Sequence, residues 1–446
     1  MQDSGLSEFK SFLGHLQTGD NIISIAFSAR ISRSGEVEFD FGSFPLTDET
    51  SFLMKYWDDD FSAHNSISLS GKSADGIECK TGDLQFTALG LESHKETGTR
   101  LSPKGCCSRA EFHRKLIESG SKPVLRMHVK GFQNFGQLSS KNRLGTVTMG
   151  GRHSIDDFDT ITGHISIYSD TEPADLDEWR KTADNLLEHI RRVMSFASAS
   201  ILQVPIIEFF AGDNLDVVAL SQTKHTPTSM RVFHYLDQQP VFDAAVMSFF
   251  NPPFKVNNLF FAIEWFAMDA TYNEVFLLNA MTVLENLIAS NLSEKDAHIR
   301  PQKEFDGIRR NLRQVISRCV DKWSAEDSAK AAEAVAELNE RLVDLNRRSI
   351  LTKLKILAER WSVPLDGIGD DKIRAAKRAR DLIVHRGNYY EDGKKIDDLW
   401  EHITVVREVV VRFLLMAIGY KGRYYSYLGG YHESQFPPKT AVSNAR

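Results

Sequence analysis

Arg380 and His385 stand five residues apart in the stretch RARDLIVHRG, residues 378 to 387, and these two side-chain types can together open a phosphodiester without a metal. Arginine keeps its charge at ordinary pH and offers a planar set of donors, so it can hold a phosphate and counter the charge that builds on it. Histidine gives or takes a proton near neutral pH. Between them they can activate a 2′-hydroxyl, stabilise the phosphorus centre and protonate a leaving 5′-oxygen. DNA lacks that hydroxyl and would be left intact.

Five helical residues turn about 140° past a full turn and rise roughly 7.5 Å, so Arg380 and His385 do not share a face. Either the helix distorts between them, or a groove is completed by another part of the protein or by a second copy, whose two-fold symmetry would bring two Arg/His sets together. Gly387 predicts a helix end just after His385, where the helix dipole favours a charged imidazole. The plain alternative is a solvated arginine and a histidine that caps the helix. Spacing alone does not separate the two.

Other motifs carry less. SGKS at 70 to 73 lacks the earlier glycine of a phosphate loop because Ser66 stands there. MGGRH at 149 to 153 lacks dinucleotide-loop spacing and reads as a turn, and LEHIRR at 187 to 192 is not a zinc-binding pair but an amphipathic helix face. Cys79, Cys106, Cys107 and Cys319 have no metal spacing, and no histidine group has ligand partners, so neither metal nor cofactor is expected. Few cysteines and no apolar leader fit a reducing cytoplasm. The most apolar stretches, 259 to 268 and 409 to 419, contain Glu264 and Arg412 and are too short to span a membrane. A net charge of −6 means that any contact with nucleic acid must use a local basic surface. Lys372, Arg374, Lys377, Arg378 and Arg386, clustered with Arg380, could supply one. The tyrosine-rich stretch 420 to 432 could stack bases, or pack as a tail on the helices.

The elements that must position these residues divide the 446-residue chain in two. Over 1–235 the pattern is β-rich: ISIAFSARIS and EVEFDFG alternate around the turn RSGE, with further strands within 66–71, 83–91, 124–132, 144–151 and 163–169. This predicts a sandwich or curved sheet. A helix follows from Leu176 to Ala197, its start marked by Asp175, Asp177 and Glu178, and VPIIEFF and LDVVAL around AGDN read as a hairpin. Over 236–446 the period changes to that of long helices, with Ser324 and Asp327 placed as a capping box. The fold class expected is therefore α+β, a β-rich N-terminal domain followed by an all-α bundle.

Arg380, Asp381 and His385, preceded about a hundred residues earlier by VLENLIASN at 283 to 291, resemble the R-x(4 to 6)-H signature and surroundings of HEPN domains. The β-rich part ahead of the helices is similar to the Apea-like branch found in bacterial anti-phage and abortive-infection proteins. The resemblance implies a HEPN-like bundle and a metal-independent endoribonuclease, usually a homodimer with facing motifs, acting on tRNA or other RNA. The N-terminal domain would sense a phage-derived trigger or restrain the C-terminal nuclease. Arg380 and His385 carry over directly. Glu285 is expected to pair with an arginine of the motif helix and orient it. The family commonly has asparagine where Asp381 stands; a carboxylate there can orient Arg380 or His385 but repels phosphate. Asp381 therefore keeps open an inactive RNA-binding or scaffold protein. A third reading makes the chain the target of nucleotide transfer at Tyr389 or Tyr390. His402 is a weaker site candidate, more readily a helix-surface residue.

Overall fold

Alternating apolar residues give a strand one buried and one open face, and strand pairing decides what the buried face encloses. The computed structural model describes residues 6–438 except 20, 52, 55–66, 95–97, 154–156, 158, 223–229, 321–327 and 391–395. Ser324 and Asp327 thus lie outside the described residues. Two compact units divide the chain, Met1–Asn251 and Pro252–Arg446.

In the first unit, β1 (Lys10–Thr18), β2 (Asn21–Ile31), β3 (Val37–Asp40), β4 (Phe44–Pro45), β5 (Ile67–Ser73), β6 (Glu78–His94) and β7 (Gly98–Cys106) form the first group of strands. β1 pairs with β2 and β2 with β3, and β3 then joins β7, β7 joins β6, β6 joins β5 and β5 returns to β1. Six strands therefore close on themselves as a barrel, with β4 a short addition on β7. Phe12, Leu16, Phe27, Phe39 and Leu69 fill its core, and the Phe12 and Phe27 rings stack 5.2 Å apart. The expected sandwich or curved sheet is corrected here to a closed barrel with extra strands. Alternation reports which residues face inward; closure depends on which distant strands meet.

β8 (Arg109–Lys130) carries the sheet onward, flanked by β12 (Gln203–Leu220) along its length and by β11 (Ile161–Tyr168), which leads to β10 (Gly145–Gly151) and β9 (Gln137–Asn142). The segments expected as a hairpin around AGDN are one bent strand, β12. Register shifts beside Gly212 bend it while both halves stay paired with β8. Helix Leu176–Ser198 is capped by the Asp175 side chain, which accepts from the Glu178 N–H, and packs on β8 and β11. Helix Gln239–Phe250 packs against it, joined by a buried hydrogen bond of 3.0 Å between His189 Nε2 and Ser248 Oγ.

The second unit is built on helix Ile396–Ala417, buried from Ile403 to Leu415 and packed against Asn273–Asn291 and Asp370–Arg386. It is not all-α. The chain ends in a hairpin, β13 (Gly422–Ser426) with β14 (His432–Phe436), fastened by buried Glu408, which accepts from Tyr424 Oη at 2.5 Å and Ser426 Oγ at 2.7 Å. The expected all-α, HEPN-like bundle is corrected accordingly: a helical unit with a β-hairpin, whose arrangement does not identify that bundle. Tyr424, in the stretch expected either to stack bases or to pack as a tail, has its ring in the core beside Phe436.

Candidate functional site

The motif helix Asp370–Arg386 buries Ile373, Ala376, Ala379 and Ile383, a spacing of three and four residues that leaves the charged positions outward. It ends where Gly387 adopts φ 79°, a left-handed conformation that glycine takes without steric cost, and its N–H donates to the Ile383 carbonyl. His385 and Arg386 occupy the last turn. His385 is exposed, and no side-chain partner is recorded for it among the described residues.

Arg380 lies at the edge of the buried face. Its Nη2 donates to Glu285 Oε2 at 3.0 Å, across to helix Asn273–Asn291, and its Nη1 donates to Asp381 Oδ1 at 3.2 Å. The Arg380 side chain remains 30 % exposed and that of Glu285 37 %. Glu285 sits among buried Met281, Leu284, Leu287 and Ile288 but keeps its carboxylate at the surface. No hydrogen bond joins Arg380 to His385 among the described residues, as the helical geometry requires.

Asp381 also accepts from Lys377 Nζ at 2.5 Å. Partial burial acts to raise its carboxyl pKa, but Lys377 and Arg380 outweigh burial and hold it below the usual aspartate value. The other basic residues are largely matched. Arg374 pairs with Asp371 at 3.0 Å and Asp370 at 3.8 Å, and Lys372 with Glu401 at 3.0 Å. Arg378 and Arg386 are exposed, and no ion pair is recorded for Arg378 among the described residues. Tyr389 is buried and its hydroxyl lies 3.4 Å from His402 Nε2, while Tyr390 is exposed. In the C-terminal hairpin, Tyr425 and Tyr431 stack 4.8 Å apart with Tyr431 exposed, whereas Tyr420 and Tyr424 are core.

The dismissed motifs find structural places. Ser70 to Ser73 lie in β5 with Lys72 paired to Glu78, and His189 is buried between helices. MGGRH, expected as a turn, instead supplies the end of β10 with Met149 to Gly151, where Gly150 and Gly151 line a cavity with Arg126, His128, His164 and Tyr168. Sequence reasoning placed those strands but missed the polar side chains that they share on one face. The available signal was a period of two: Arg126 and His128, then His164, Ser166 and Tyr168, each alternating with apolar residues.

Among the described residues no group of three His, Cys, Asp or Glu side chains has metal-ligating geometry, and no helix is long and apolar enough to cross a membrane. Comparison of the chain with protein families, curated proteins and solved structures gives no match in any of the three.

Proposed function

We propose that Arg380, Glu285 and His385 form half of a metal-independent RNA-cleaving site, completed by a second copy of the chain. The observation that carries this reading is the Arg380 to Glu285 ion pair of 3.0 Å, which fixes a still-accessible guanidinium five residues before a solvent-facing imidazole in the last turn of the same helix. In the proposed reaction the 2′-oxygen attacks phosphorus, Arg380 balances charge on the phosphoryl oxygens, and the bond to the 5′-oxygen breaks as His385 protonates it. His385 of the partner subunit takes the proton from the 2′-hydroxyl. The products are a 2′,3′-cyclic phosphate and a free 5′-hydroxyl. Together with the motif's resemblance, this supports an anti-phage role in which RNA, tRNA included, is the target and the first unit responds to a trigger.

Labelled tRNA and total RNA incubated with the full chain in EDTA test the reading. Cleavage with cyclic-phosphate ends is expected, falling at least about 100-fold in His385→Ala and Arg380→Ala, with DNA uncut. A second reading, RNA binding or scaffolding without cleavage, is favoured by one observation: Asp381 draws on both Lys377 and Arg380 and offsets the charge that would meet phosphate. RNA binding unchanged by His385→Ala, with no cut under any condition and no growth arrest on expression, would establish it.

A further inference from the structure

We propose that the polar face shared by β8, β10 and β11 in the first unit is a binding site for a small organic oxyanion, a carboxylate or a phosphate ester. The inference stands independently of the ribonuclease reading.

Strand register builds the site. His128 lies opposite His164, and Arg126 lies opposite Ser166 on one side and Glu208 on the other, so their side chains project from the same face. The alternate residues Leu125, Met127, Val129, Ile165 and Ile167 point the other way and are buried in the core. What remains on the polar face borders a cavity of about 490 Å³, within the range of small-molecule sites.

The wall of this cavity is unlike the chain as a whole. Among the described residues it contains Arg126, Arg152, His128, His164 and Tyr168 and no acidic residue, in a protein whose net charge is −6. The Glu208 carboxylate is 5 % exposed and is not part of the wall; it anchors Arg126 Nη1 at 3.2 Å and lies 3.0 Å from His128 Nε2, without full hydrogen-bond alignment. Burial pushes the Glu208 carboxyl up in pKa, and His128 and Arg126 outweigh it, so the group is held below the ordinary glutamate value.

Arg126 is further fixed by donation from Nε to Ser166 Oγ at 3.2 Å and from Nη2 to Tyr168 Oη at 3.4 Å. Guanidinium has five N–H groups, so one on each terminal nitrogen is left over among the described residues and can donate to an anion. Such an arginine is oriented before any ligand arrives. At Gly163 a larger residue would collide with backbone, since a Cβ there would lie 2.2 Å from the Gly150 carbonyl, and a Cβ on Gly150 would press on the His164 ring at 3.2 Å. A second cavity of about 220 Å³ also borders Arg126 and Tyr168, adds Lys122, and among the described residues likewise has no acid in its wall. Hydrophobic sheet faces do not need this arrangement, and among the described residues of the wall a cation would find no carboxylate to meet it.

Titration calorimetry on the full chain with inorganic phosphate, AMP and citrate tests the site and distinguishes phosphate from carboxylate recognition. At least one should bind with a dissociation constant of about 1 mM or tighter. Arg152→Ala, at an exposed position that does not endanger the fold, and Tyr168→Phe should weaken that binding, Arg152→Ala by about tenfold or more. Arg126→Lys, checked for folding by circular dichroism, should weaken it further. Absence of heat with all three anions, or affinity unchanged in Arg152→Ala and in folded Arg126→Lys, overturns the proposal.

Discussion

The two units handle charge in opposite ways. On the β8 and β11 face of the first unit, Arg126 is enclosed and held by Glu208, Ser166 and Tyr168, each supplied by a different position across the sheet. On the motif helix of the second, Lys377 and Arg374 are surface residues matched with acids three or four positions away on the same helix, and the half-exposed Arg380 pairs with neighbouring Asp381 and with Glu285 of helix Asn273–Asn291, itself at the surface. Cross-strand partners buried together fix geometry strongly, because loss of either strands a charge away from water. Helical neighbours in solvent fix it weakly, each pair contributing at most about 1 kcal/mol. A rigid recognition site is therefore expected in the sheet, and an adjustable, salt-sensitive surface on the helix.

The sharpest way to break this contrast is to remove the buried anchor. Glu208→Ala is expected to destabilise the first unit by about 3 kcal/mol or more, a fall on the order of 10 °C in its thermal midpoint; a change below about 1 kcal/mol would place Arg126 in the weak class with Arg380. Acid should act on the same unit. Burial pushes His189 down to about 4 from 6.5, so the unfolded chain binds its proton first as pH falls. The stability it permits is complete above about pH 6.5 and is lost towards pH 4, by about 3 kcal/mol at full effect. Glu208, with its folded pKa lowered, contributes stability that is present above the usual glutamate value near 4.3 and lost as pH drops through the folded one. Denaturant titrations between pH 7 and 4 should show a shallower loss in His189→Gln than in wild type.

Next in size, Gly163→Ala forces a methyl against the Gly150 backbone and should cost about 1–3 kcal/mol, with loss of anion binding in whatever fraction folds. The smallest effects belong to the helix. Glu285→Gln should leave stability within about 1 kcal/mol by urea unfolding, while lowering RNA cleavage through a loosened Arg380. Asp381→Asn should alter stability by less than about 0.5 kcal/mol, tighten RNA binding, and steepen its dependence on salt by about one ion, read from binding at several salt concentrations.

Local features were the legible ones. Helix Leu176–Ser198 was marked by its apolar period and by Asp175, and the end of the motif helix by Gly387, because both signals lie within a few residues of what they specify. Glu285 was readable as a partner for the motif helix from its apolar surroundings. The neutralising acids Asp371 and Asp381 stood at helical spacing from Arg374 and Lys377 and could have been weighed against the basic surface from sequence alone. Barrel closure and the anion cavity could not be read so. They depend on register between strands far apart in the chain, such as Arg126 with Glu208, and a slip of one residue would turn every polar side chain to the opposite face. The hairpin at the end of the second unit was hidden for a related reason: the partners of Tyr424, Glu408 for its hydroxyl and Phe436 for its ring, stand on other elements.

The length of β8 also sets an order of events during synthesis. Its first residue, Arg109, pairs with Leu220, the last of β12, and Lys130 pairs with Gln203. While the ribosome adds the intervening residues at about 5–20 per second, one whole margin of β8 has no hydrogen-bonding partner. During those seconds it is the sheet's open template for another chain, and Leu220 must emerge before that margin is fully occupied.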